Sequence, residues 1–301
     1  MLYPNFQDLV AFKNKKLKLV PFSRRLVKST TSGGYHSPFR GRGLEFDAVR
    51  EYVPGDDIRC IDWRVTARTG RPHLKVFKED RERQVMICVD MNSYMRFGTR
   101  NTFKSIQAAR VAAFLGWQGM ASQDRVSGYL FGDIAERIQF FPPKRTHNSF
   151  VSMLKCLAVP HIEQPIVSLK EVLLNVARVA HSGSFVYLIS DFMNLNQNLP
   201  DDSEINRLSS RLNLIFIAIN DFADRVMFPI GSIKFSSNDK NSLSVNTESI
   251  TGREKYAAQW EENRQQLYEI SRKFKIPIIE LTTESNLPQD LISGLKGIKR
   301  C

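Results

Sequence analysis

The sequence V-M-I-C-V-D at Val85–Asp90 is a short apolar run that ends in an acidic residue. Further along the chain, F-V-Y-L-I-S-D at Phe185–Asp191 repeats this pattern. Continuous apolar runs of this length are typical of strands that are buried on both faces of a parallel sheet. Open α/β sheets place their ligand sites at the carboxyl ends of such strands. The two runs therefore predict that Asp90 and Asp191 meet at one edge of a parallel sheet.

Predicted strands and helices alternate along the chain after Gln84. The predicted strands are Val85–Asp90, Val126–Phe131, Arg137–Phe141 (stopped by Pro142-Pro143), Phe185–Ser190, Leu212–Ile219 and Ile276–Leu281. The predicted helices are Thr102–Ala121, Ser149–Leu157, Leu169–His181, Glu204–Arg211, Arg253–Phe274 and one that begins near Pro288. This alternation is typical of βαβ units. We predict an α/β domain over residues 84–301, with a mostly parallel sheet flanked by helices and a β excursion at 227–250. A small β-containing segment, residues 1–83, precedes it.

Composition favours a folded protein without a membrane span or a disulfide framework. The chain has 301 residues, 42% of them hydrophobic, which is enough for a sizeable core in one or two domains. No apolar run reaches the roughly 18–20 residues that a bilayer requires, and the first residues lack the pattern of a signal peptide. The four cysteines form no C-x-x-C pair, so we expect neither disulfides nor structural zinc. We therefore expect a soluble, cytoplasmic protein.

The net charge of +12 is concentrated at the amino-terminal end. Residues 1–83 carry 18 Lys and Arg against 10 Asp and Glu, a net charge of +8. Such a segment could attract nucleic acid, anionic lipid or an acidic protein face, or it could serve solubility and internal ion pairing. Nucleic-acid binding through residues 13–28 and Arg40–Arg71 is the alternative function. The segment lacks the interleaved aromatic residues of single-strand binders and any recognised binding motif.

The most specific motif of the chain is G-R-G-L-E-F-D-A-V-R-E-Y-V-P-G-D-D-I-R-C-I-D-W-R-V-T-A-R at residues 41–68. Its arginines and aspartates are expected to form bidentate ion pairs. They are Arg59, Arg64 and Arg68 on one side and Asp56, Asp57 and Asp62 on the other. One interpretation is a docking surface with Trp63 and the arginines as anchors, residue types enriched at binding hot spots. The other is a structural clasp that joins this segment to the α/β domain.

These stretches together resemble domain-of-unknown-function family fifty-eight. The family pattern Tyr-x-Pro-Gly-Asp-Asp-x-Arg-x-Ile-Asp-Trp-Arg is matched from Tyr52 to Arg64, and Q-D-R-V-S-G at Gln123–Gly128 and L-I-S-D-F at Leu188–Phe192 also fit. Members of the family carry a von Willebrand factor A-like domain and are commonly encoded beside MoxR-type AAA+ ATPases. The resemblance therefore implies a non-enzymatic adaptor that acts with such an ATPase in the assembly or maturation of client proteins.

The resemblance also implies a cation site at the turn that follows the first apolar run. In the von Willebrand factor A fold this turn reads Asp-x-Ser-x-Ser, and a later threonine and aspartate complete the oxygen ligands of a divalent cation such as Mg²⁺. Here Asn92 and Tyr94 stand at the serine positions and Val167 at the threonine position. The phenol of Tyr94 should project too far to replace a serine hydroxyl.

We therefore expect a degenerate site of Asp90, Asn92 and Asp191 that could bind Mg²⁺ weakly. The alternative is that the two aspartates accept hydrogen bonds from backbone amides and helix N-termini at the sheet edge. A metal-dependent hydrolase would also need an activating base, and the sequence indicates no catalytic nucleophile or base with an orienting partner.

Overall fold

The structure is a computed structural model that describes residues 3–15, 44–79, 84–144, 147–160, 162–193, 195, 199–237 and 241–298. The described residues fall into two compact units. The larger unit contains residues 3–15 and 84–298, and the smaller unit contains residues 44–79. Most of the basic stretch 13–28, and residues 40–43 of the motif, lie outside the described residues.

The larger unit is built on a six-stranded sheet. The strands of the chain are β1 (Leu44–Glu51), β2 (His73–Glu79), β3 (Gln84–Met91), β4 (Arg125–Gly132), β5 (Ile138–Lys144), β6 (Phe185–Ser190), β7 (Asn213–Asn220), β8 (Ser232–Ser237), β9 (Asn241–Asn246) and β10 (Ile278–Thr282). The sheet order is β10-β7-β6-β3-β4-β5, and every pairing is parallel except that of β4 with β5. This confirms the predicted α/β class with a mostly parallel sheet. Strands β8 and β9 form an antiparallel pair within the predicted β excursion.

Helices pack on both faces of this sheet. The described helices are α1 (Phe6–Ala11), α2 (Trp63–Thr69), α3 (Lys104–Ala121), α4 (His147–Leu157), α5 (Leu169–Val179), α6 (Asp202–Arg211), α7 (Phe222–Arg225), α8 (Ile250–Phe274) and α9 (Gln289–Gly297). One buried apolar cluster includes residues of α1, α3, α4 and α9, and the other includes residues of α5, α6 and α8. Every residue of β3 and of β6 is buried, which explains why both strands are continuous apolar runs.

Residues 3–15 belong to the larger unit, which corrects their predicted assignment to the amino-terminal segment. Leu9 of α1 is fully buried in the apolar cluster that α3 lines. The indole Nε1 of Trp117 donates to the backbone carbonyl of Leu9 at 3.0 Å, and the amide of Gln118 donates to that of Lys15 at 2.9 Å. Apolar burial and two side-chain hydrogen bonds therefore fasten the amino-terminal helix to α3.

Local structure differs from prediction at the edge strand and in the smaller unit. Strand β5 continues through Pro142-Pro143 to Lys144 because it is the last strand of the sheet, where proline removes no ladder bond from a neighbour. In the smaller unit, β1 pairs with β2 in antiparallel fashion, and both β1 and α2 were missed. None of the described helices is long and apolar enough to cross a membrane.

Candidate functional site

Asp90 and Asp191 lie at the point where the chain changes the side of the sheet to which it adds strands. From β3 the chain passes to β4 and β5 on one side, and then returns to β6 on the other side of β3. Such a switch point opens a crevice at the carboxyl ends of the two strands. Asp90 lies near the end of β3, and Asp191 directly follows β6. Because β3 and β6 are parallel neighbours, with Val89 opposite Ile189, the two apolar runs deliver both aspartates to one edge as predicted.

Asp90 is fully buried and accepts four hydrogen bonds. Its Oδ1 accepts from the backbone N–H of Asn92 at 3.0 Å and from the side-chain amide of Asn92 at 2.8 Å. Its Oδ2 accepts from the Tyr94 hydroxyl at 2.7 Å and from the Ser190 hydroxyl at 2.6 Å. The hydroxyl of Tyr94 thus reaches the carboxylate itself, and that its phenol projects too far to replace a serine hydroxyl as a cation ligand stays a prediction. Burial, and then the charge of Asp191, raise the pKa of Asp90 to about 7.

Asn92 uses its side chain to hold the segment before α5. Its Oδ1 accepts from the backbone N–H of Val167 at 2.9 Å, and its Nδ2 donates to the Val167 carbonyl at 3.1 Å. The oxygen predicted to bind a cation is therefore engaged by a backbone amide. Asn92 and Val167 are both fully buried, so water does not replace these bonds. Ser168 accepts from the backbone N–H of Glu171 and so caps α5.

Asp191 is paired with a buried lysine that the sequence did not reveal. The ammonium Nζ of Lys104 donates to Asp191 Oδ2 at 2.8 Å and to Asp224 Oδ1 at 3.2 Å. The side chains of Lys104 and Asp191 are each only 3% exposed. Burial alone would lower the pKa of Lys104, but the charges of Asp191 and Asp224 outweigh it and hold the pKa above its ordinary value. The lysine is therefore a fixed internal cation.

The start of α7 aims Asp224 at this lysine. Asp221 caps the helix by accepting from the N–H of Ala223 at 3.0 Å, and Asp224 Oδ2 accepts from the N–H of Asp221 at 2.7 Å. This reciprocal arrangement is a capping box. It leaves the other oxygen of Asp224 for Lys104. The segment after β7 is thus fixed to α3 by an ion pair, as the segment before α5 is fixed to β3 by Asn92.

These contacts leave little for a divalent cation to bind. Mg²⁺ requires oxygen ligands in near-octahedral geometry and keeps several waters. Of the predicted ligands, Asp90 accepts four hydrogen bonds, the oxygen of Asn92 accepts one, and Asp191 accepts from Lys104 and from the N–H of Met193. Within the described part of the chain, no three His, Cys, Asp or Glu side chains are grouped so as to hold a metal ion. The residues present do not fit a resident cation. Their contacts agree with the alternative in which the two aspartates accept hydrogen bonds at the sheet edge.

The aspartates of the motif in the smaller unit do not pair with Arg59, Arg64 or Arg68, contrary to prediction. Asp56 instead forms two hydrogen bonds of 2.7 Å with the guanidinium of Arg50. Asp57 and Asp62 each accept from backbone N–H groups at the start of the helical turn that follows them. Asp62 also lies 3.7 Å from the ammonium of Lys75. The aspartates are therefore local caps and anchors of the backbone.

Four further residues of the motif are exposed. We call Arg59, Trp63, Arg64 and Arg68 the Arg/Trp surface. All four residues are exposed, and Trp63 is 69% exposed. Among the described residues, no carboxylate lies within ion-pair distance of the three arginines. Ile58, at the start of the same segment, is 63% exposed. The structure thus leaves the four residues predicted as partner-binding exposed and, among the described residues, without an ion-pair partner.

Comparison with known proteins supports the resemblance seen in the motif. The family model described as "Protein of unknown function DUF58" matches residues 48–266. The chain belongs to this family. Uncharacterized proteins of Mycobacterium bovis and Mycobacterium tuberculosis are each 24% identical to it over 263 residues, covering 86% of this chain and 81% of their own length.

Two solved structures are similar to the chain at low sequence identity. The conserved hypothetical protein BatB from Bacteroides thetaiotaomicron is 11% identical, with a TM-score of 0.38 over 73% of this chain and 100% of its own. The SpRpn10 VWA domain is 9% identical, with a TM-score of 0.37 over 71% of this chain and 93% of its own.

Proposed function

We propose that this DUF58 protein is a non-enzymatic interaction module that docks a partner protein through the Arg/Trp surface. One observation carries the proposal: the indole of Trp63 is 69% exposed in a segment whose three arginines have no carboxylate partner among the described residues. Exposed apolar patches mark interaction sites, and Ile58 of the same segment is also exposed. Tryptophan and arginine are also the residue types that dominate binding hot spots.

The backbone presents this surface in a fixed form. Asp62 caps α2 by accepting from two N–H groups, and Gly70 ends the helix with a left-handed φ of 73°. Arg64 and Arg68 are four residues apart and therefore lie on one face of α2. Because the backbone that carries these side chains is held before binding, less backbone freedom is lost on docking. The matching partner surface is an apolar pocket for the indole with carboxylates at its rim.

The family supplies the identity that we propose for this partner. Members resembling this chain are commonly encoded beside MoxR-type AAA+ ATPases, and we propose that such an ATPase binds the Arg/Trp surface. The chain would then link the ATPase to client proteins during their assembly or maturation. An adaptor of this kind needs no catalytic group of its own. The polar side chains at the sheet edge support this proposal, because they are hydrogen-bonded to one another.

Biolayer interferometry of the purified chain against its cognate MoxR-type ATPase tests this proposal. We expect Trp63→Ala to weaken binding by roughly 30-fold, which corresponds to about 2 kcal/mol, and Arg64→Glu to weaken it as strongly. Ile250→Ala is the matched control, because Ile250 is 65% exposed but lies in the larger unit. Unchanged affinity in both variants would reject the Arg/Trp surface, and no association of the wild type would reject the ATPase as partner.

Nucleic acid is the competing partner, because unpaired arginines also bind phosphate. A salt titration with single-stranded and double-stranded DNA and RNA separates the two. We expect no binding at about 0.15 M salt, where exposed charges are screened beyond roughly 8 Å. Binding at that salt concentration that Arg64→Glu weakens would favour nucleic acid over protein.

A further inference from the structure

We infer that the ammonium group of Lys104 takes the place of the divalent cation at this sheet edge, so that a cation built into the fold, and not a metal, pairs with the carboxylate of Asp191. The inference rests on the larger unit alone and is independent of the Arg/Trp surface. It also assigns a role to a lysine that neither the sequence motifs nor the family comparison singles out.

The first argument is charge. Lys104 Nζ lies 2.8 Å from Asp191 and 3.2 Å from Asp224, and its side chain is 3% exposed. Buried charges are tolerated when they are paired and hydrogen-bonded. A single ammonium group thus pairs with two carboxylates that come from different segments of the chain and offsets part of their charge. In a metal-binding relative of the fold, compensation of this kind is the task of the cation.

The second argument is that the donors around Asp90 exclude a cation. The carboxylate accepts from the backbone N–H of Asn92, whose position is fixed by the turn, and from the hydroxyls of Tyr94 and Ser190. A cation at this carboxylate would face the proton of the fixed Asn92 N–H, and the hydroxyls of Tyr94 and Ser190 would have to turn their protons away from it. It would also have to displace the N–H of Val167 from the oxygen of Asn92. Val167 is fully buried, so its released N–H would find no replacement acceptor in water.

The consequence concerns recognition. A divalent cation with an open coordination position can bind a carboxylate of a partner protein. The ammonium of Lys104 cannot do so, because it is buried and both of its described acceptors are internal. The sheet edge therefore does not capture an acidic side chain of a partner, and docking must use another surface.

Titration of the wild-type protein with Mn²⁺, followed by electron paramagnetic resonance and by thermal unfolding, tests the inference directly. We expect no stoichiometric Mn²⁺ binding at millimolar metal and no change in Tm. Binding of one Mn²⁺ per chain that is abolished by Asp191→Asn would overturn it. Binding that survives Asp191→Asn lies elsewhere in the protein and leaves the sheet edge metal-free, as inferred.

A second variant removes the internal cation. Lys104→Met keeps the apolar stem but leaves Asp191 and Asp224 buried without their counter-charge. We expect a lower Tm at neutral pH and a partial recovery of Tm with added Mn²⁺, which has no effect on the wild type. Lys155→Met, on the exposed side of α4, is the control that should behave as wild type. A Lys104→Met variant as stable as wild type would contradict the inference, and if the variant does not fold, the wild-type titration decides.

Discussion

Replacing Asp90 by asparagine should change how the stability of the protein depends on pH. The pKa of this carboxyl is raised from an ordinary value of 3.8 to about 7, first by burial and then by the charge of Asp191. The folded protein therefore binds a proton at Asp90 between about pH 4 and pH 7, where the unfolded chain has released it. The contribution of this group to stability is fully present below pH 3.8 and is lost as the pH rises through 7.

The size of the effect follows from the shift in pKa. Each pKa unit corresponds to about 1.4 kcal/mol, so the shift of roughly three units at Asp90 corresponds to at most about 4 kcal/mol. Asparagine has the same shape as aspartate and cannot ionise. Its oxygen can accept from Asn92, and its NH₂ group can donate to the hydroxyls of Tyr94 and Ser190, which are able to accept as well as donate. The Asp90→Asn variant should therefore fold.

Urea unfolding of both proteins at pH 4.5, 6 and 7.5 measures this effect. The free energy of unfolding of Asp90→Asn, relative to that of the wild type, should rise by about 2–4 kcal/mol over this range. Asp8→Asn, which removes an exposed carboxylate on α1, is the control and should leave the pH dependence unchanged. Equal pH dependence of Asp90→Asn and wild type would refute the reasoning, because it would mean that Asp90 is ionised in the folded protein across this range.

Three further substitutions test the sheet edge and the docking surface by chemical denaturation. Asn92→Ala should lower the free energy of unfolding by about 2–4 kcal/mol, because it leaves two buried backbone groups of Val167 without partners. The control, Asn206→Ala on an exposed helix face, should change it little. Similar losses in the two variants would contradict the role of Asn92. Gly132→Ala should lower the free energy of unfolding by about 2 kcal/mol more than Gly183→Ala does. Both glycines have a positive φ, but only at Gly132 would a Cβ lie 2.3 Å from a backbone nitrogen. Equal losses of stability would show that this clash is absent. Trp63→Ala should change the free energy of unfolding by less than about 0.5 kcal/mol, and a larger loss would show that Trp63 is part of the fold.

Much of the larger unit is predictable because its strands are buried on both faces. A strand such as β6 must be apolar at every position, and this pattern is visible without any knowledge of the neighbouring strands. Strand ends are less predictable, because they depend on position in the sheet. The run Pro142-Pro143 belongs to β5 only because β5 has no neighbour on its outer side.

The candidate site was predictable only in part, for two physical reasons. Asp90 and Asp191 were found because each directly follows an apolar run. Lys104 was missed because it is the first residue of α3, where a lysine is normally exposed, and it is buried only through contacts with residues distant in sequence. The prediction of ion pairs for Asp57 and Asp62 was wrong, because each aspartate bonds to backbone N–H groups two or three residues away. A bond to a nearby backbone group does not require a long arginine side chain to lose its conformational freedom.

The most direct test of the central claim, that an internal ammonium group and not a divalent cation pairs with Asp191 at the sheet edge, is a crystal structure of the protein soaked in Mn²⁺ with anomalous data. We expect no anomalous peak between Asp90 and Asp191, and the Nζ of Lys104 within about 3 Å of Asp191, a distance typical of a charge-assisted hydrogen bond. A peak at this position, with the ammonium of Lys104 displaced from Asp191, would contradict the claim.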